Sequence, residues 1–196
     1  MKILTISDVE SKYFWDFYDK TKFEDIDLII SCGDLKAEYL TFLETMTSLP
    51  LLYVHGNHDN RYEEKAPEGC VCIEDRIYEY KGVRFLGLGG SMRYKDGKYQ
   101  YTEKEMEKRY NKLKLKLKLG GGVDVLVTHS PAAGHGDADD LPHHGFKVFE
   151  KIMDDFEPKY FLHGHVHMNY GPAVQRESRY KNTTIINAYE KYVFEY

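Results

Sequence analysis

Five short apolar segments of this chain each run directly into polar residues of the types that bind metal ions. The segments are rich in β-branched residues, which is typical of buried strands. The polar groups that follow them are Ser7-Asp8, Gly33-Asp34, Gly56-Asn57-His58-Asp59, Thr128-His129 and Gly164-His165-Val166-His167. All nine histidines lie between His55 and His167, and histidines scattered through a core would not cluster in this way. The pattern therefore predicts one site built from the ends of several strands.

The order of these segments predicts a sheet of parallel strands. Strands are predicted over 3–7, 26–31, 51–55, 123–128 and 160–163. Between the second and the third, Leu40, Leu43 and Met46 recur at helical spacing ahead of Pro50, which indicates a helix over 37–46. Strands that alternate with helices form a parallel sheet covered by helices, and the ligand site of such a sheet lies outside the carboxyl ends of its strands.

The remaining segments predict a second, partly antiparallel sheet and two further helices. Lys81-Gly82 forms a hairpin turn between strands over 77–80 and 83–87, and further strands are predicted over 183–187 and 191–194. Thr102 and Glu105 resemble a capping box that begins a helix over about 102–119, and another helix is predicted over 146–156. Alternatives stay open for Leu113–Leu119, where leucine and lysine alternate: a strand with a lysine face, or a helix whose lysines are solvated or bind a polyanion.

Length and composition narrow the class of protein. A chain of 196 residues favours a single domain over 1–196, and no apolar stretch approaches the roughly 20 residues of a spanning helix, so we expect no membrane partner. The net charge of -5 argues weakly against nucleic acid as a partner. The first apolar run is too short for a signal peptide, and Cys32, Cys70 and Cys72 suit free thiols, so we expect a cytoplasmic location.

The order of the polar groups resembles that of the calcineurin-like metallophosphoesterases over roughly residues 3 to 168. Gly-Asn-His-Asp and Gly-His-x-His at these separations are the specific part of the resemblance. Among members of the family, the short chain is similar to the compact bacterial and archaeal phosphodiesterase-like proteins rather than to the protein phosphatases. The resemblance implies an α/β fold, namely a four-layer α-β-β-α sandwich with two mixed sheets flanked by helices.

The resemblance also implies a cofactor of two divalent metal ions, Mn²⁺ or Fe²⁺ foremost, with Zn²⁺, Ni²⁺ or Mg²⁺ as alternatives. The implied ligands are Asp8, Asp34 and His167 for the first ion, with Glu10 as a candidate fourth, and Asp34, Asn57, His129 and His165 for the second ion. Asp34 is the shared ligand, and a carboxylate suits this role because its two oxygens can bridge cations about 3.5–4 Å apart.

Glu10 stands at a position where the sequence departs from the family pattern. The first family motif is Asp-x-His, whereas this chain has Asp8-Val9-Glu10. A carboxylate is still a good ligand for Mn²⁺, Mg²⁺ or Fe²⁺. Glu10 either binds the first ion or only forms a hydrogen bond with a neighbouring residue, and both interpretations stay open.

By the same resemblance, His58 faces the substrate and Asp59 orients the His58 ring. A protonated imidazole can stabilise developing charge or protonate the leaving oxygen. The implied activity is that of a metal-dependent phosphoesterase, in which a hydroxide activated by two metal ions hydrolyses a phosphodiester or a small phosphorylated or nucleotide substrate. The alternative is a catalytically weak protein of this fold that acts as a binding or scaffold module. A nuclease activity is disfavoured by the acidic charge.

Three further expectations concern the surroundings of the predicted site. Gly33, Gly56 and Gly164 should let the chain turn sharply off each strand, because glycine has no Cβ. The loop from 129 to 145 either overhangs the site and reads the substrate or is only solvated. Arg93 either clamps a phosphate or forms a surface salt bridge.

Overall fold

The computed structural model describes residues 1–171 and 174–196, and within these ranges the chain forms thirteen strands and three α-helices. The strands in chain order are β1 (Lys2–Ile6), β2 (Leu28–Ser31), β3 (Leu51–Tyr53), β4 (Val71–Cys72), β5 (Arg76–Tyr80), β6 (Val83–Leu88), β7 (Ser91–Met92), β8 (Gln100–Tyr101), β9 (Val125–Thr128), β10 (Tyr160–His163), β11 (Glu177–Tyr180), β12 (Thr183–Asn187) and β13 (Tyr192–Glu195). The helices are α1 (Ala37–Thr47), α2 (Glu103–Leu119) and α3 (Lys147–Phe156). Short 3₁₀ turns lie at Lys20–Phe23, Asp59–Glu63 and Leu141–His143.

The strands form two mixed sheets and a small parallel pair. The first sheet has the order β13-β1-β2-β3-β4, in which β13 is antiparallel to β1 and the other neighbours are parallel. The second sheet has the order β11-β12-β10-β9-β6-β5, with four parallel strands in the middle and an antiparallel strand at each edge. The pair is β7-β8. The carboxyl ends of the parallel strands of each sheet therefore point to one edge.

Alternate residues along the central strands enter different hydrophobic cores. In β2, Leu28 and Ile30 pack in the core between the two sheets, whereas Ile29 packs in an outer core with residues of α1. In β9, Val125 and Val127 enter the core between the sheets, while Leu126 packs in the other outer core with residues of α2 and α3. Both faces of each sheet are thus covered, and the implied four-layer α-β-β-α sandwich is confirmed.

The elements predicted from the sequence are present, and their ends differ from the prediction by no more than two residues. The second strand begins at Leu28 rather than Ile26 because the Ile26 N–H donates to Phe23 and ends a 3₁₀ turn. The alternating segment Leu113–Leu119 is helical, so the strand alternative is wrong. Leu117 is buried beside Tyr110, and this helical stripe decides the conformation.

The sequence did not predict β4, β7, β8 or β11. The first three have two residues each, too few to show a hydrophobic period. The fourth, Glu177–Tyr180, is an edge strand of charged and polar residues. No helix in the described ranges combines the length and the apolar character needed to cross a membrane.

Candidate metal centre

Strands of both sheets end at one place, and the residues that follow them meet there. In the first sheet, β1, β2 and β3 are followed by Asp8, Asp34 and Asn57. In the second sheet, β9 and β10 are followed by His129 and His165. The backbone N–H of His165 donates to both carboxylate oxygens of Asp8, at 3.1 and 2.9 Å, so the two sheets are joined directly. The structure therefore brings these five residues together.

Asp34, His129 and His165 form a group of possible metal ligands. One donor atom of each lies within 4.8 Å of the others. His129 is fully buried, and its Nδ1 donates to the carbonyl oxygen of Cys32 at 2.8 Å. Its Nε2 then faces two oxygens, Asp34 Oδ2 at 3.3 Å and Asn57 Oδ1 at 3.1 Å. One imidazole nitrogen is thus fixed by the backbone and the other is directed at a carboxylate and an amide.

This donor set fits a divalent cation. A ring nitrogen and two oxygens that face one another in a buried space need a proton or a cation between them. Burial by itself would lower the pKa of His129, but Asp34 raises it to about 10. Burial by itself would raise the pKa of Asp34, but His129 lowers it to about 2. The ring therefore holds a proton where a cation would lie, and binding of a metal ion would release that proton.

Asp8 and His167 lie beside this group. His167 Nε2 is 3.8 Å from Asp8 Oδ1, which is longer than a hydrogen bond. The His167 ring stacks on Tyr170 with a centroid distance of 4.8 Å and packs against Tyr189 at 4.8 Å. Burial raises the pKa of Asp8 above its ordinary value, and a nearby cation would offset this effect.

Glu10 makes its contacts with the start of α1. Its Oε1 accepts the backbone N–H of Lys36 at 3.0 Å, and its Oε2 lies 3.7 Å from Lys36 Nζ. Lys36 is the residue before α1, so the carboxylate lies at the positive end of the helix dipole. These contacts correspond to the interpretation in which Glu10 bonds a neighbour.

Three of the predicted ligands have a left-handed backbone. The φ angles are 65° at Asp8, 57° at Asp34 and 69° at His165. Non-glycine residues avoid this region, and each such residue costs about 1–3 kcal/mol. The turn after each strand therefore directs these side chains into the site at the expense of stability. The sequence carries no signal for this, because aspartate and histidine follow strands in many unstrained turns.

Close backbone approach explains the glycines that accompany the predicted ligands. Gly33 has a φ of +93°, and a Cβ there would lie 2.3 Å from the backbone nitrogen of Gly56. A Cβ at Gly164 would lie 2.7 Å from Asp8 Oδ2. The expectation that these glycines permit the turns is confirmed for Gly33, whose φ is positive. At Gly164, where φ is not positive, glycine is needed because a Cβ would have no room beside Asp8.

His58 is exposed, whereas Asp59 beside it is buried. The backbone N–H of His58 donates to Asp34 Oδ1 at 2.7 Å. Asp59 Oδ2 accepts the backbone N–H groups of Asp34 at 2.9 Å and of Gly56 at 2.7 Å. Burial and the nearby Asp34 raise the pKa of Asp59 to about 7. The carboxylate of Asp59 thus satisfies the backbone of the turns that carry Asp34 and Asn57, and its orientation of the His58 ring stays a prediction.

A cavity of about 490 Å³ opens over the centre. Asp8, Asp34 and the three histidines His58, His165 and His167 line it, together with four residues of its rim, Tyr94, Pro142, His143 and Tyr170. The Tyr94 hydroxyl accepts a hydrogen bond from Asn57 Nδ2 at 3.3 Å, which leaves the amide oxygen of Asn57 directed at His129. Sequence reasoning missed Tyr94, which stands near no predicted ligand, and Tyr170, whose position three residues after His167 is the signal that could have found it.

A second cavity, of about 570 Å³, adjoins the first and shares Asp34 and His58 with it. It lies between the start of α1 and the 3₁₀ turn Asp59–Glu63. Its lining carries both signs of charge, since it includes Glu10, Lys36, Glu38, Arg61, Glu64 and Lys65. His58 thus separates two spaces in which parts of a bound molecule could lie.

The loop from 129 to 145 overhangs the first cavity, as one of the two interpretations predicted. The carbonyl oxygen of Pro142 accepts a hydrogen bond from His165 Nε2 at 2.7 Å. Burial and the nearby His129 lower the pKa of His165 to about 3, so its ring is neutral and Nδ1 carries the free lone pair. Arg93 forms a salt bridge with Glu105 at 2.9 Å and donates to the Gln100 carbonyl, so the surface salt bridge is its observed role.

Comparison with known proteins gives one family and several remote relatives. Residues 1–169 match the sequence model of a family described as calcineurin-like phosphoesterase. The Caenorhabditis elegans protein named UPF0046 protein C25E10.12 is 24% identical over 200 residues, which cover 84% of this chain and 69% of the worm protein. Another protein of the same species, UPF0046 protein K07C11.7, is 24% identical over 221 residues, which cover 96% of this chain and 69% of that protein.

Two solved structures share the fold at low sequence identity. One crystal structure superposes with a TM-score of 0.69 at 18% identity and covers 96% of this chain and 90% of its own. The crystal structure of TT1561 from Thermus thermophilus superposes with a TM-score of 0.63 at 16% identity and covers 96% of this chain and 89% of its own. At these identities the likeness concerns the fold alone.

Proposed function

Because the chain belongs to the calcineurin-like phosphoesterase family, we propose that it is a metal-dependent phosphoesterase acting on a phosphodiester or a small phosphorylated molecule such as a nucleotide. The observation that carries the proposal is the group formed by Asp34 with the buried His129 and His165, whose donor atoms lie within 4.8 Å of one another. A cavity of about 490 Å³ above this group leaves room for a small substrate. We propose Mn²⁺ or Fe²⁺ as the ions, with Zn²⁺, Ni²⁺ or Mg²⁺ as alternatives.

The proposed ligands divide into two sets that share Asp34. Asn57, His129 and His165 complete the set for one ion, and Asp8 and His167 belong to the other, with Glu10 as a candidate. When bound, two divalent ions supply activation of water at neutral pH and neutralisation of phosphate charge. His129 gives up the proton on Nε2 as it becomes a ligand, while the Cys32 carbonyl keeps its ring in place.

His58 is the proposed acid for the leaving oxygen. It is exposed between the two cavities. Because its backbone N–H is hydrogen-bonded to Asp34 and its ring is not, the ring can reach a substrate held at the centre. Protonation of the leaving oxygen by such a group typically contributes 10²–10⁴-fold to the rate. Asp59 acts as a positioning residue in this proposal, since it binds the N–H groups of the turns that carry Asp34 and Asn57.

Hydrolysis of p-nitrophenyl phosphate and bis-p-nitrophenyl phosphate by protein supplied with Mn²⁺, Ni²⁺ or Mg²⁺ tests the proposal. We expect turnover with at least one ion, faster on the diester. Asp34→Asn should abolish it and lower the bound metal, whereas Asp25→Asn, at an exposed position, should leave both unchanged. His58→Asn should lower the rate by about 10²–10⁴-fold and keep the metal. Protein that holds two ions and hydrolyses neither compound would contradict the proposal.

Glu10 makes the scaffold alternative worth testing separately. Its bonds to Lys36 leave Asp8 and His167 with fewer ligands, so we expect this set to bind its ion more weakly than the other set. Metal analysis after dialysis should find about one tightly bound ion in the wild type and a second one in Glu10→His. Two tight ions in the wild type would show that Glu10 acts as a ligand. A scaffold would keep its partner in Asp34→Asn.

We also propose that residues 1–196 form one domain and that the protein resides in the cytoplasm. The first point is supported by β13, near the end of the chain, which pairs with β1 at its start. The second is supported by the three cysteines, each of which is a free thiol.

A further inference from the structure

The outer face of α2 combines exposed leucines with lysines that have no ion-pair partner in the described ranges. Leu115 is 67% exposed and Leu119 is 80% exposed, and both values are high for large apolar side chains. Burial of Met106 and Tyr110 fixes the inner face of the helix. Leu115 follows Met106 by nine residues, so at about 100° per residue it lies directly opposite the buried face.

Lysines surround the two leucines on this outer face. At the same angular spacing, Lys104, Lys108, Lys112 and Lys118 all lie within about 60° of Leu115. In the described ranges none of these four makes a salt bridge, whereas Lys114 on the flank of the helix pairs with Asp155 at 2.5 Å. The stretch 111–119 contains four lysines and no acidic residue, although the whole chain has a net charge of -5. The positive charge is thus concentrated on one helix face.

We propose that this outer face of α2 binds the surface of an anionic phospholipid bilayer. An interfacial helix of this kind lies in the membrane plane with leucines below the headgroups and lysines at the phosphate level. Long lysine side chains can extend past the leucines to the headgroups. Helix α2 has 17 residues, so the face is about 25 Å long.

The exposed leucines favour a lipid surface over other polyanions as the partner of this face. Contact with a nucleic acid backbone uses charged and polar groups, and an exposed leucine gains nothing from a hydrated phosphate chain. Burial of two leucines in the acyl boundary adds to the attraction of the lysines for anionic lipid. The expectation of no membrane partner rested on the lack of a spanning segment, and a helix that lies on the surface needs none. The proposal does not depend on the phosphoesterase activity.

Flotation with vesicles of phosphatidylcholine, with and without 30% phosphatidylserine, tests the proposal. We expect the wild-type protein to bind the vesicles that contain phosphatidylserine and not the neutral ones. Leu115→Ser with Leu119→Ser should lower the partition coefficient about tenfold or more, and so should Lys108→Glu with Lys112→Glu. Circular dichroism checks that these surface variants remain folded.

Matched controls lie elsewhere on the surface. Leu141→Ser changes a leucine that is 60% exposed outside α2, and Lys12→Glu with Lys20→Glu makes the same charge change at two other exposed lysines. Both controls should bind as the wild type does. The proposal is overturned if the wild type does not bind anionic vesicles, if the controls lose as much binding as the α2 variants, or if the leucine variant binds anionic vesicles as the wild type does.

Discussion

The residue types of the candidate centre could be predicted from the sequence, but their contacts could not. Aspartate, asparagine and histidine after successive strands indicated a metal site, and the structure brings Asp34, His129 and His165 together. The partner of Glu10 could not be read, because Lys36 is 26 positions away and contacts it only through the fold. Asp59 likewise lies beside His58 in the chain and yet bonds the backbone of Asp34 and Gly56. The residues next to a carboxylate in the sequence therefore did not predict which groups it hydrogen-bonds in the fold.

Gly33→Ala should destabilise the protein more than Gly82→Ala does, although both residues have positive φ. Gly33 has a φ of +93° and no room for a Cβ, which would lie 2.3 Å from the nitrogen of Gly56. Gly82 has a φ of +76° and nothing within 4 Å, so it is the matched control for backbone strain alone. We expect a loss of about 1 kcal/mol at Gly82 and about 3 kcal/mol or more at Gly33.

Urea denaturation of the two variants measures this difference. Metal content should also fall in Gly33→Ala, because the turn after β2 must move away from Gly56, while Gly82→Ala keeps its metal. Equal losses of stability in the two variants would show that the chain around Gly33 relaxes, and that close approach does not set the position of Asp34.

At the scale of elements, hydrophobic periodicity predicted the longer strands and helices, and the structure confirms them. The four central parallel strands of the second sheet and the three helices carry long enough apolar patterns to be recognised, and they supply the layers of the fold. β4 and β7 could not be predicted, since two residues show no period and their pairing depends on neighbours far along the chain. The conflict within Leu113–Leu119 was settled by the start of the helix and by its buried stripe.

The capping box at the start of α2 should contribute to the stability of the protein. Thr102 accepts the N–H of Glu105 at 3.3 Å, and the Glu105 side chain accepts the N–H of Thr102 at 2.7 Å, so the capping box expected from the sequence is formed. Thr102→Ala removes one half of it and should lower the free energy of unfolding by about 1 kcal/mol. Thr45→Ala, at an exposed position inside α1, should be neutral or slightly stabilising because alanine is the better helix former. Thermal unfolding of both variants decides this, and a neutral Thr102→Ala would mean that packing alone fixes the start of α2.

At the scale of the whole molecule, one largely buried carboxylate joins both sheets and a helix. Glu74 accepts the N–H of His55, which follows β3, at 3.1 Å, and the N–H of Gly89, which follows β6, at 3.1 Å. It also forms a salt bridge with Arg109 of α2, whose Nε donates to Asp75 at 2.8 Å. Asn57 lies two residues after His55, so this network supports the edge where the candidate centre lies. No local pattern in the sequence joins these residues, which are up to 54 positions apart, from His55 to Arg109.

The ionisation of Glu74 makes stability depend on pH in a definite direction. Burial by itself would raise the pKa of Glu74, but its hydrogen bond with His55 and the charge of Arg109 more than offset this, so the pKa is lowered. A carboxyl whose pKa is lowered by folding contributes stability above the pKa of the unfolded chain, which is 4.5. That contribution is lost as the pH falls through the pKa of the folded state.

Glu74→Gln should therefore cost about 3 kcal/mol at pH 7, because Arg109 stays buried without its main partner. The difference in free energy of unfolding between wild type and variant should shrink as the pH falls below 4.5, since protonation makes the wild-type side chain neutral as well. Urea titrations between pH 3 and pH 8 in the presence of a chelator measure this without a contribution from bound metal. Glu79→Gln, on the neighbouring strand β5 and exposed, is the control and should track the wild type at every pH. A pH-independent difference for Glu74→Gln would mean that its hydrogen bonds, and not its charge, hold the two sheets together.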